Sequence, residues 1–392
     1  MAYPPSVPEI LPVDLARAIE RGEAVQILDV RAPERVQRGR IDLVPEGRFF
    51  NIRGSELAAR TSLDGAGIDP SMPIAVVCGF GNDSRVLARH LGALGCDARS
   101  LAGGLSAWMR LAMPRVLDPP ASLDHLVQFD RIGKGALGYL LVSDGNALVV
   151  DPPLDAVAYL EAAAARGAEI TAVLDTHVHA DYISGASRLS RYLAVPYYLH
   201  AADSVYAYDG TPGRLSFQAI GDGDTIRVGR CTVRVRHTPG HTEGSVTYLV
   251  GDEVALTGDF LFIESTGRPD LAGKTAAWTR QLWDSVERAR REWPAGVRIH
   301  PAHYAGDAER CPDRSVGRTF ASILQTNPAL HFTTCDTFSA WVQSQTAPFP
   351  DAYRTIKAVN VGLVEVDDRQ ADELEIGRNE CALGGRQWPP GR

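Results

Sequence analysis

The chain has 392 residues, of which 45% are hydrophobic and 22% are charged, and its formal net charge is -8. This length suffices for more than one hydrophobic core, and the acidic balance disfavours nucleic acid as a partner. The sequence has no run of about eighteen consecutive apolar residues, so it predicts no membrane-spanning helix. The first residues lack the basic and apolar regions of a signal peptide. The six cysteines are scattered without pairing spacings, so we expect a reduced, cytoplasmic protein.

Strands and helices alternate in the first third of the chain. The runs Ala24–Arg31 and Pro73–Val77 predict buried strands, and Ser84–Leu91 predicts a helix with Ser84 as its N-cap. Such alternation implies a parallel sheet with flanking helices, which is an α/β fold.

A cysteine follows the second of these strands. Cys78 begins a glycine-containing loop whose backbone N–H groups can surround a sulfur atom, and the helix behind the loop favours thiolate and persulfide anions at its N-terminus. These features predict that Cys78 carries sulfur. The rest of the loop consists of Gly79, Phe80, Gly81, Asn82, Asp83 and Ser84.

The segment Ile10–Val116 resembles the rhodanese-type sulfurtransferases. The resemblance rests on Ala24–Arg31, on the Cys78 loop and on Leu101–Trp108, which looks like the closing glycines and helix of that family. It implies transfer of sulfane sulfur through a persulfide on Cys78. Asp83 stands where many members carry Arg, and a carboxylate there would repel an anionic donor such as thiosulfate. The domain is therefore active, uses a different donor, or only supports the rest of the chain.

Three short strings in the second half of the chain together predict a metal site. They are Thr176–Asp181 (Thr-His-Val-His-Ala-Asp), Thr238–His241 (Thr-Pro-Gly-His) and Thr257–Asp259 (Thr-Gly-Asp). Each string follows an apolar or alternating segment that predicts a strand, so the strings lie on loops at strand ends. Such loops can bring together ligands that are distant in sequence. Imidazole and carboxylate donors suit Zn, Fe or Mn rather than Ca or Mg.

The order of these strings resembles the metallo-β-lactamase superfamily, over about Leu123–Leu363. Val149–Pro152 looks like the strand-end Asp-Pro of that family, and Ile299–His303 looks like its late His motif. The resemblance implies an αββα sandwich, two sheets with outer helices. Two-metal members carry a further His after the first string, where this chain has Tyr182. A phenol, with a reference pKa of about 10, is a poor neutral ligand, so a single metal is expected.

A mononuclear site in this superfamily resembles that of the persulfide dioxygenases. The resemblance implies one Fe(II) per chain, rather than Zn, held by His177, His241 and Asp259 with open positions for substrate and O2. The implied reaction oxidises glutathione persulfide to sulfite. Arg268 would bind a carboxylate of the glutathione tail through its planar fork, or would pair with Asp270 within a turn. The groups next to the ligands would be His179, Asp181, Tyr182 and His303.

Two other functions stay open. One is a glyoxalase II-like hydrolase of glutathione thioesters, and the other is a non-catalytic module that binds sulfane sulfur at Cys78. The predicted boundaries are 8–116 for the rhodanese-like domain, 117–122 for a linker, 123–365 for the metallo-β-lactamase-fold domain and 366–392 for a loose C-terminal tail. The expected partners are glutathione persulfide and O2, with thiosulfate as a further sulfur donor, and we expect a homo-oligomer.

Overall fold

The computed structural model of the chain describes residues 7–384, in which three sheets form. The strands are β1 (Glu9–Ile10), β2 (Gln26–Asp29), β3 (Phe49–Asn51), β4 (Ile74–Val77), β5 (Ala98–Leu101), β6 (Met113–Leu117), β7 (His125–Arg131), β8 (Ala136–Ser143), β9 (Asn146–Val150), β10 (Glu169–Leu174), β11 (Tyr197–His200), β12 (Gln218–Ile220), β13 (Thr225–Val228), β14 (Cys231–His237), β15 (Val246–Val250), β16 (Val254–Gly258), β17 (Arg298–Pro301) and β18 (Arg318–Thr319).

The helices of the same range flank these sheets. They are α1 (Pro12–Glu20), α2 (Pro33–Val36), α3 (Gly54–Ala58), α4 (Asn82–Ala93), α5 (Gly104–Arg110), α6 (Val157–Ala164), α7 (Ala186–Leu193), α8 (Thr275–Glu292), α9 (Phe320–Thr326), α10 (Cys335–Gln345), α11 (Ala352–Asn360) and α12 (Asp368–Leu374). No helix within residues 7–384 combines the length and the apolarity that crossing a bilayer requires.

The first sheet has the strand order β1-β5-β4-β2-β3, and all its neighbours are parallel. Alternate residues of a strand point to opposite faces, so Ile27 of β2 packs into one apolar cluster and Leu28 packs into another. Helices cover both clusters. The predicted α/β architecture of the first domain is confirmed.

The other two sheets pack face to face and form the second domain. Their orders are β12-β11-β10-β9-β8-β7-β6 and β13-β14-β15-β16-β17-β18. On β8, Tyr139 and Leu141 point into the core between the sheets, whereas Leu140 and Val142 pack beneath α6 and α7. Helices thus cover the outer face of the seven-stranded sheet at β8, and the predicted αββα sandwich is confirmed.

The segment between the domains begins with a strand. β6 pairs antiparallel with β7 at the edge of the seven-stranded sheet, where Pro114 is tolerated because an edge strand does not need every N–H. Arg115 pairs with Glu20 of the first domain and lies 3.4 Å from Asp130 of the second. The stretch that was predicted to close the first domain therefore belongs to the second, and the prediction of a boundary at residue 116 is wrong.

Residues 367–384, called the C-terminal segment below, are folded against the rest of the chain. Asp367 and Gln370 form a capping box that begins α12. Glu375 is buried, and it accepts hydrogen bonds from Arg131 at 2.7 Å and from the backbone N–H of Ile183 at 2.9 Å. This arrangement contradicts the predicted loose tail, whose last residues, 385–392, lie outside the described residues.

Replacement of Glu375 by Ala is expected to lower the free energy of unfolding by about 3–5 kcal/mol, because it leaves the Arg131 guanidinium buried without a counter-ion. The two side chains are 9% and 5% exposed. Urea unfolding followed by circular dichroism measures the change. Glu373→Ala, at an exposed residue of α12 whose carboxylate lies 3.7 Å from Arg369, is the control and should cost less than about 1 kcal/mol. An equally small loss for Glu375→Ala would contradict the prediction.

Candidate metal centre

Three loops at one rim of the sandwich bring the predicted ligands together. His177 follows β10, His241 follows β14 and Asp259 follows β16. Nε2 of His241 lies 3.3 Å from Oδ2 of Asp259, and Nε2 of His177 lies 3.6 Å from the same oxygen. One donor atom from each residue lies within 4.8 Å of the other two, and all three side chains are fully buried.

The three facing atoms fit a metal ion. Nε2 of His177, Nε2 of His241 and Oδ2 of Asp259 have no hydrogen-bond partner among residues 7–384. A buried polar atom left unsatisfied costs about 1–3 kcal/mol, and a divalent cation would satisfy all three at once. Nδ1 of His241 lies 3.0 Å from the carbonyl oxygen of Arg268, so it donates there and leaves the Nε2 lone pair directed at the other two ligands.

The protonation states also suit ligation. Burial, reinforced by His179, holds the pKa of His177 well below its usual value, and burial with Lys357 does the same for His241. Burial opposes the charge on Asp259, yet His303 and His177 lower the pKa of that carboxyl. Two neutral imidazoles and one carboxylate are therefore available, as metal binding requires.

His303 and Asp181 stand directly behind the Asp259 ligand. Nδ1 of His303 lies 2.6 Å from Oδ1 of Asp259, and its Nε2 lies 3.1 Å from Oδ2 of Asp181. Burial opposes charge on this imidazole, but the two carboxylates raise the pKa of His303 to about 10. His303 thus fixes the orientation of the Asp259 carboxylate.

Tyr182 and His179 form a second hydrogen-bonded network beside the site. The Tyr182 hydroxyl lies 2.9 Å from Nε2 of His179, which is 3.2 Å from Oδ1 of Asp151, and the two rings stack at 4.2 Å. Asp151 also accepts from the backbone N–H of Thr176 at 2.7 Å. The phenol therefore helps to orient the first ligand loop.

Arg268 forms an ion pair with Asp270, which is one of the two roles that the sequence predicted for it. Its Nε and Nη2 each donate to Asp270 at 2.7 Å, and its guanidinium lies 5.4 Å from the centre of the Phe349 ring. Binding of a substrate carboxylate by Arg268 stays a prediction. The preceding Gly267 approaches the ligands so closely that a Cβ there would lie 2.0 Å from the carbonyl oxygen of Asp259, which explains the glycine of this string.

Cys381 is the site residue that sequence reasoning missed. Its sulfur lies within 4.8 Å of donor atoms of Asp181 and His303. The backbone N–H of Arg268 donates to the Cys381 carbonyl at 2.8 Å, and Gly267 forms a bridge with Ala382. No local sequence motif marks this cysteine, and it lies in the segment that is predicted to be a loose tail.

The sulfur loop of the first domain surrounds Cys78 as expected, with one difference. The backbone N–H of Gly81 donates to the Cys78 sulfur at 3.1 Å, and the Ser84 hydroxyl lies 3.3 Å from it and 2.8 Å from the hydroxyl of Ser100. Gly81, with φ of 88°, caps α4. The prediction of Ser84 as the N-cap is therefore wrong. Asp83 is exposed to solvent, which screens its repulsion of an anionic donor.

His303→Ala is expected to weaken metal binding at the three-ligand centre by about 10–100-fold, because the imidazole that orients Asp259 is lost. Competition with a chromophoric chelator measures the affinity. His331→Ala, at an exposed histidine whose ring lies 3.1 Å from the Gln325 carbonyl, is the control and should leave the affinity unchanged. Equal affinities for the two variants would show that Asp259 needs no such support.

Fold and site together define a sandwich domain with a buried three-ligand centre, which follows an α/β domain with a cysteine-containing loop. Residues 133–311 match the metallo-beta-lactamase superfamily, and residues 11–111 match the rhodanese-like domain. The chain thus carries a rhodanese-like domain followed by a domain of the metallo-beta-lactamase superfamily. Both are families of enzymes.

Individual relatives refine this assignment. An uncharacterized protein of Aquifex aeolicus (strain VF5) is 31% identical over 44% of this chain and 87% of its own length. Persulfide dioxygenase ETHE1, mitochondrial, of Mus musculus is 34% identical over 40% of this chain and 59% of its own length. Hydroxyacylglutathione hydrolase of Acidiphilium cryptum (strain JF-5) is 41% identical over 33% of this chain and 50% of its own length. The chain thus spans 59% and 50% of the length of these two named enzymes.

A solved structure agrees with the fold. The metallo-beta-lactamase from Staphylococcus aureus subsp. aureus COL superposes with a TM-score of 0.54 at 28% identity, and the match covers 62% of this chain and 74% of that protein. This likeness supports the sandwich architecture of the second domain.

Proposed function

We propose that this protein oxidises glutathione persulfide, or a similar small persulfide, with O2 to sulfite at a single Fe(II) held by His177, His241 and Asp259. The observation that carries the proposal is the set of three buried donor atoms that face one another and have no other hydrogen-bond partner within residues 7–384. Two imidazoles and one carboxylate are the facial triad of non-haem Fe(II) oxygenases, which leaves positions open for both reactants. Similarity to a persulfide dioxygenase supports the same reaction.

The residues of this chain would orient the centre and keep water out. When bound, Fe(II) supplies positions for a sulfur ligand and for O2 and passes electrons to O2, which Zn does not do. The Arg268 carbonyl fixes the ring of His241, and His303 fixes the carboxylate of Asp259. Full burial of all three ligands limits competing reactions with water.

The first domain would handle sulfane sulfur through Cys78. The Cys78 thiolate attacks the outer sulfur of a donor, a new S–S bond forms, and the rest of the donor leaves as an anion. Attack of glutathione thiolate on the outer sulfur then gives glutathione persulfide and restores the Cys78 thiolate, with no net oxidation. The N–H of Gly81 stabilises the anionic sulfur. Joining this domain to the metal centre raises the local concentration of the persulfide.

A hydrolase of glutathione thioesters is the second candidate, and the similarity to hydroxyacylglutathione hydrolase favours it. Such an enzyme would use a metal-activated water and would need no redox-active metal. A non-catalytic role in binding sulfane sulfur is the third candidate. It is motivated by Tyr182, which stands where two-metal members carry His, and by Asp83, which stands where many rhodanese-type members carry Arg. Turnover of any sulfur substrate would exclude this third candidate.

Metal content and oxygen consumption distinguish these functions. We expect anaerobically purified protein to hold iron at the three-ligand centre and to consume one O2 for each sulfite formed from glutathione persulfide and water, with glutathione as the other product. Zn-loaded protein should consume none. Hydrolysis of a glutathione thioester by the Zn-loaded protein, without oxygen consumption by the iron form, would overturn the proposal in favour of the hydrolase.

A further inference from the structure

A cleft lies where helices of both domains meet the C-terminal segment. It encloses about 380 Å3 and is lined by α5 of the first domain, by α6 and α7 of the second, and by α12. Pockets that hold small molecules measure about 300–1,000 Å3, so the cleft has the size of a ligand site. The three metal ligands and the sulfur loop do not line it, which makes it distinct from both sites described above.

One wall of the cleft is apolar. Leu154 and Leu160 line it beside Val157, the first residue of α6, and Leu189 and Tyr192 line it from α7. Val157 and Tyr192 are 55% and 77% exposed. Exposed apolar side chains that share one groove with a polar rim mark binding surfaces. The wall therefore suits the apolar body of a ligand.

One guanidinium of the cleft has unused donors. Arg131 is 4% exposed, and its Nη2 donates to Glu375 at 2.7 Å and to the Met109 carbonyl at 3.0 Å. Its Nε and Nη1 have no hydrogen-bond acceptor within residues 7–384. Buried N–H groups without an acceptor are costly, and more so on a charged group. These donors indicate that an anionic group completes the site.

The other arginines of the cleft already have partners. Nε of Arg110 lies 2.5 Å from the Asp372 carboxylate, and Nη1 of Arg188 lies 3.3 Å from that of Asp368. These two pairs lie on the rim, where side chains are partly exposed to solvent. Arg131 is therefore the group of the cleft that is best suited to hold the charged end of a ligand.

We propose that this cleft binds a small monocarboxylate with an apolar body. The carboxylate accepts charge-assisted hydrogen bonds from Nε and Nη1 of Arg131, and the apolar body packs against α6 and α7. A single negative charge is favoured, because Asp155 also lines the cleft and would repel a second one. Its carboxylate accepts only the backbone N–H of Val157, at 3.2 Å, among the hydrogen bonds of the described residues.

An occupant of this cleft would contact the support of the first ligand loop. The Arg131 guanidinium lies 5.3 Å from the centre of the Tyr182 ring, and Glu375 accepts from the backbone N–H of Ile183 at 2.9 Å. The site goes beyond the proposed reaction and stands whichever reaction the metal centre catalyses. Binding makes and breaks no covalent bond, so direct titration tests it without any measurement of turnover.

Calorimetric titration of the full-length protein with octanoate tests the proposal. The matched ligand is 1-octanol, which has the same chain without the charge. One equivalent of octanoate should bind, about tenfold or more tightly than 1-octanol, because hydrogen bonds to ionised groups are the stronger ones. Arg131→Lys keeps a cation beside Glu375 but removes the planar fork, so it should weaken octanoate binding by about tenfold and leave 1-octanol binding unchanged.

A second variant tests the mouth of the cleft. Val157→Asp adds a negative charge and removes an apolar contact at an exposed position, so it should weaken octanoate binding by about fivefold or more. Val86→Asp, at a residue of α4 that is 68% exposed, is the matched control and should bind octanoate as wild type does. This pair keeps the test decisive if Arg131→Lys does not fold.

Three results would overturn the proposal. The first is the absence of saturable octanoate binding to the wild-type protein, and the second is equal affinity for octanoate and 1-octanol. The third is wild-type affinity for octanoate in Val157→Asp, which would place the bound ligand elsewhere on the protein. Loss of the persulfide reaction with intact octanoate binding would contradict the proposed function and leave this site in place.

Discussion

His177→Ala is expected to remove the metal from the three-ligand centre and, with it, the persulfide-dependent consumption of O2. Substitution of groups that only orient ligands costs about 10–100-fold in metal affinity, so loss of a ligand should cost about 100-fold or more. The remaining pair, His241 and Asp259, leaves a buried carboxylate and one imidazole facing an empty position. Two donors do not hold a divalent ion against dilution and chelators.

Iron content by mass spectrometry and oxygen consumption should fall together in this variant. His125→Ala is the matched control, because His125 is an exposed histidine at the start of β7 and lies outside the site. Circular dichroism establishes that both variants fold. Iron content that stays at the wild-type level in His177→Ala would show that the ion is held elsewhere.

Cys78→Ser is expected to reduce sulfur transfer from thiosulfate to thiols by about a thousandfold or more, because a nucleophile that forms the covalent intermediate is lost. A serine hydroxyl cannot carry sulfane sulfur. The loop geometry should persist, since the backbone N–H of Gly81 and the Ser84 hydroxyl can hydrogen-bond an oxygen as well. Oxygen consumption with added glutathione persulfide should stay at the wild-type rate.

Cys96→Ser is the control for this experiment, because Cys96 is a buried cysteine of the same domain that lies outside the sulfur loop. It should retain both activities. Loss of oxygen consumption together with sulfur transfer in Cys78→Ser would contradict the separation of the two roles. Retained sulfur transfer would show that another cysteine carries the sulfur.

The ligand motifs could be placed from sequence because each is attached to a strand end. The apolar run before His177 forms β10, and the alternating run before His241 forms β14. Periodicity over such short runs reports burial directly. The predicted ligands come together because sheet packing joins those strand ends, and their types alone indicate a transition metal.

The features that were missed depend on contacts between distant parts of the chain. The charged, glycine-containing C-terminal segment has little periodicity, and it folds because Glu375 meets Arg131 and Cys381 meets the first ligand loop. β6 is short and contains a proline, so its pairing with β7 decides that it is a strand. Ser84 lies within the first turn of α4 because Gly81, with a positive φ, is the N-cap, and composition alone does not reveal this.

The position of the C-terminal segment determines when the second domain can mature. Arg369 lies over the Phe80 ring at 5.1 Å, Asp372 pairs with Arg110, and Glu375 and Cys381 reach the second domain. Domains generally fold in order as the ribosome extends the chain. Here the wall of the metal centre stays incomplete until residues 375–383 have emerged, so we expect ion loading to follow synthesis of the C-terminal segment and completion of the rhodanese-like domain.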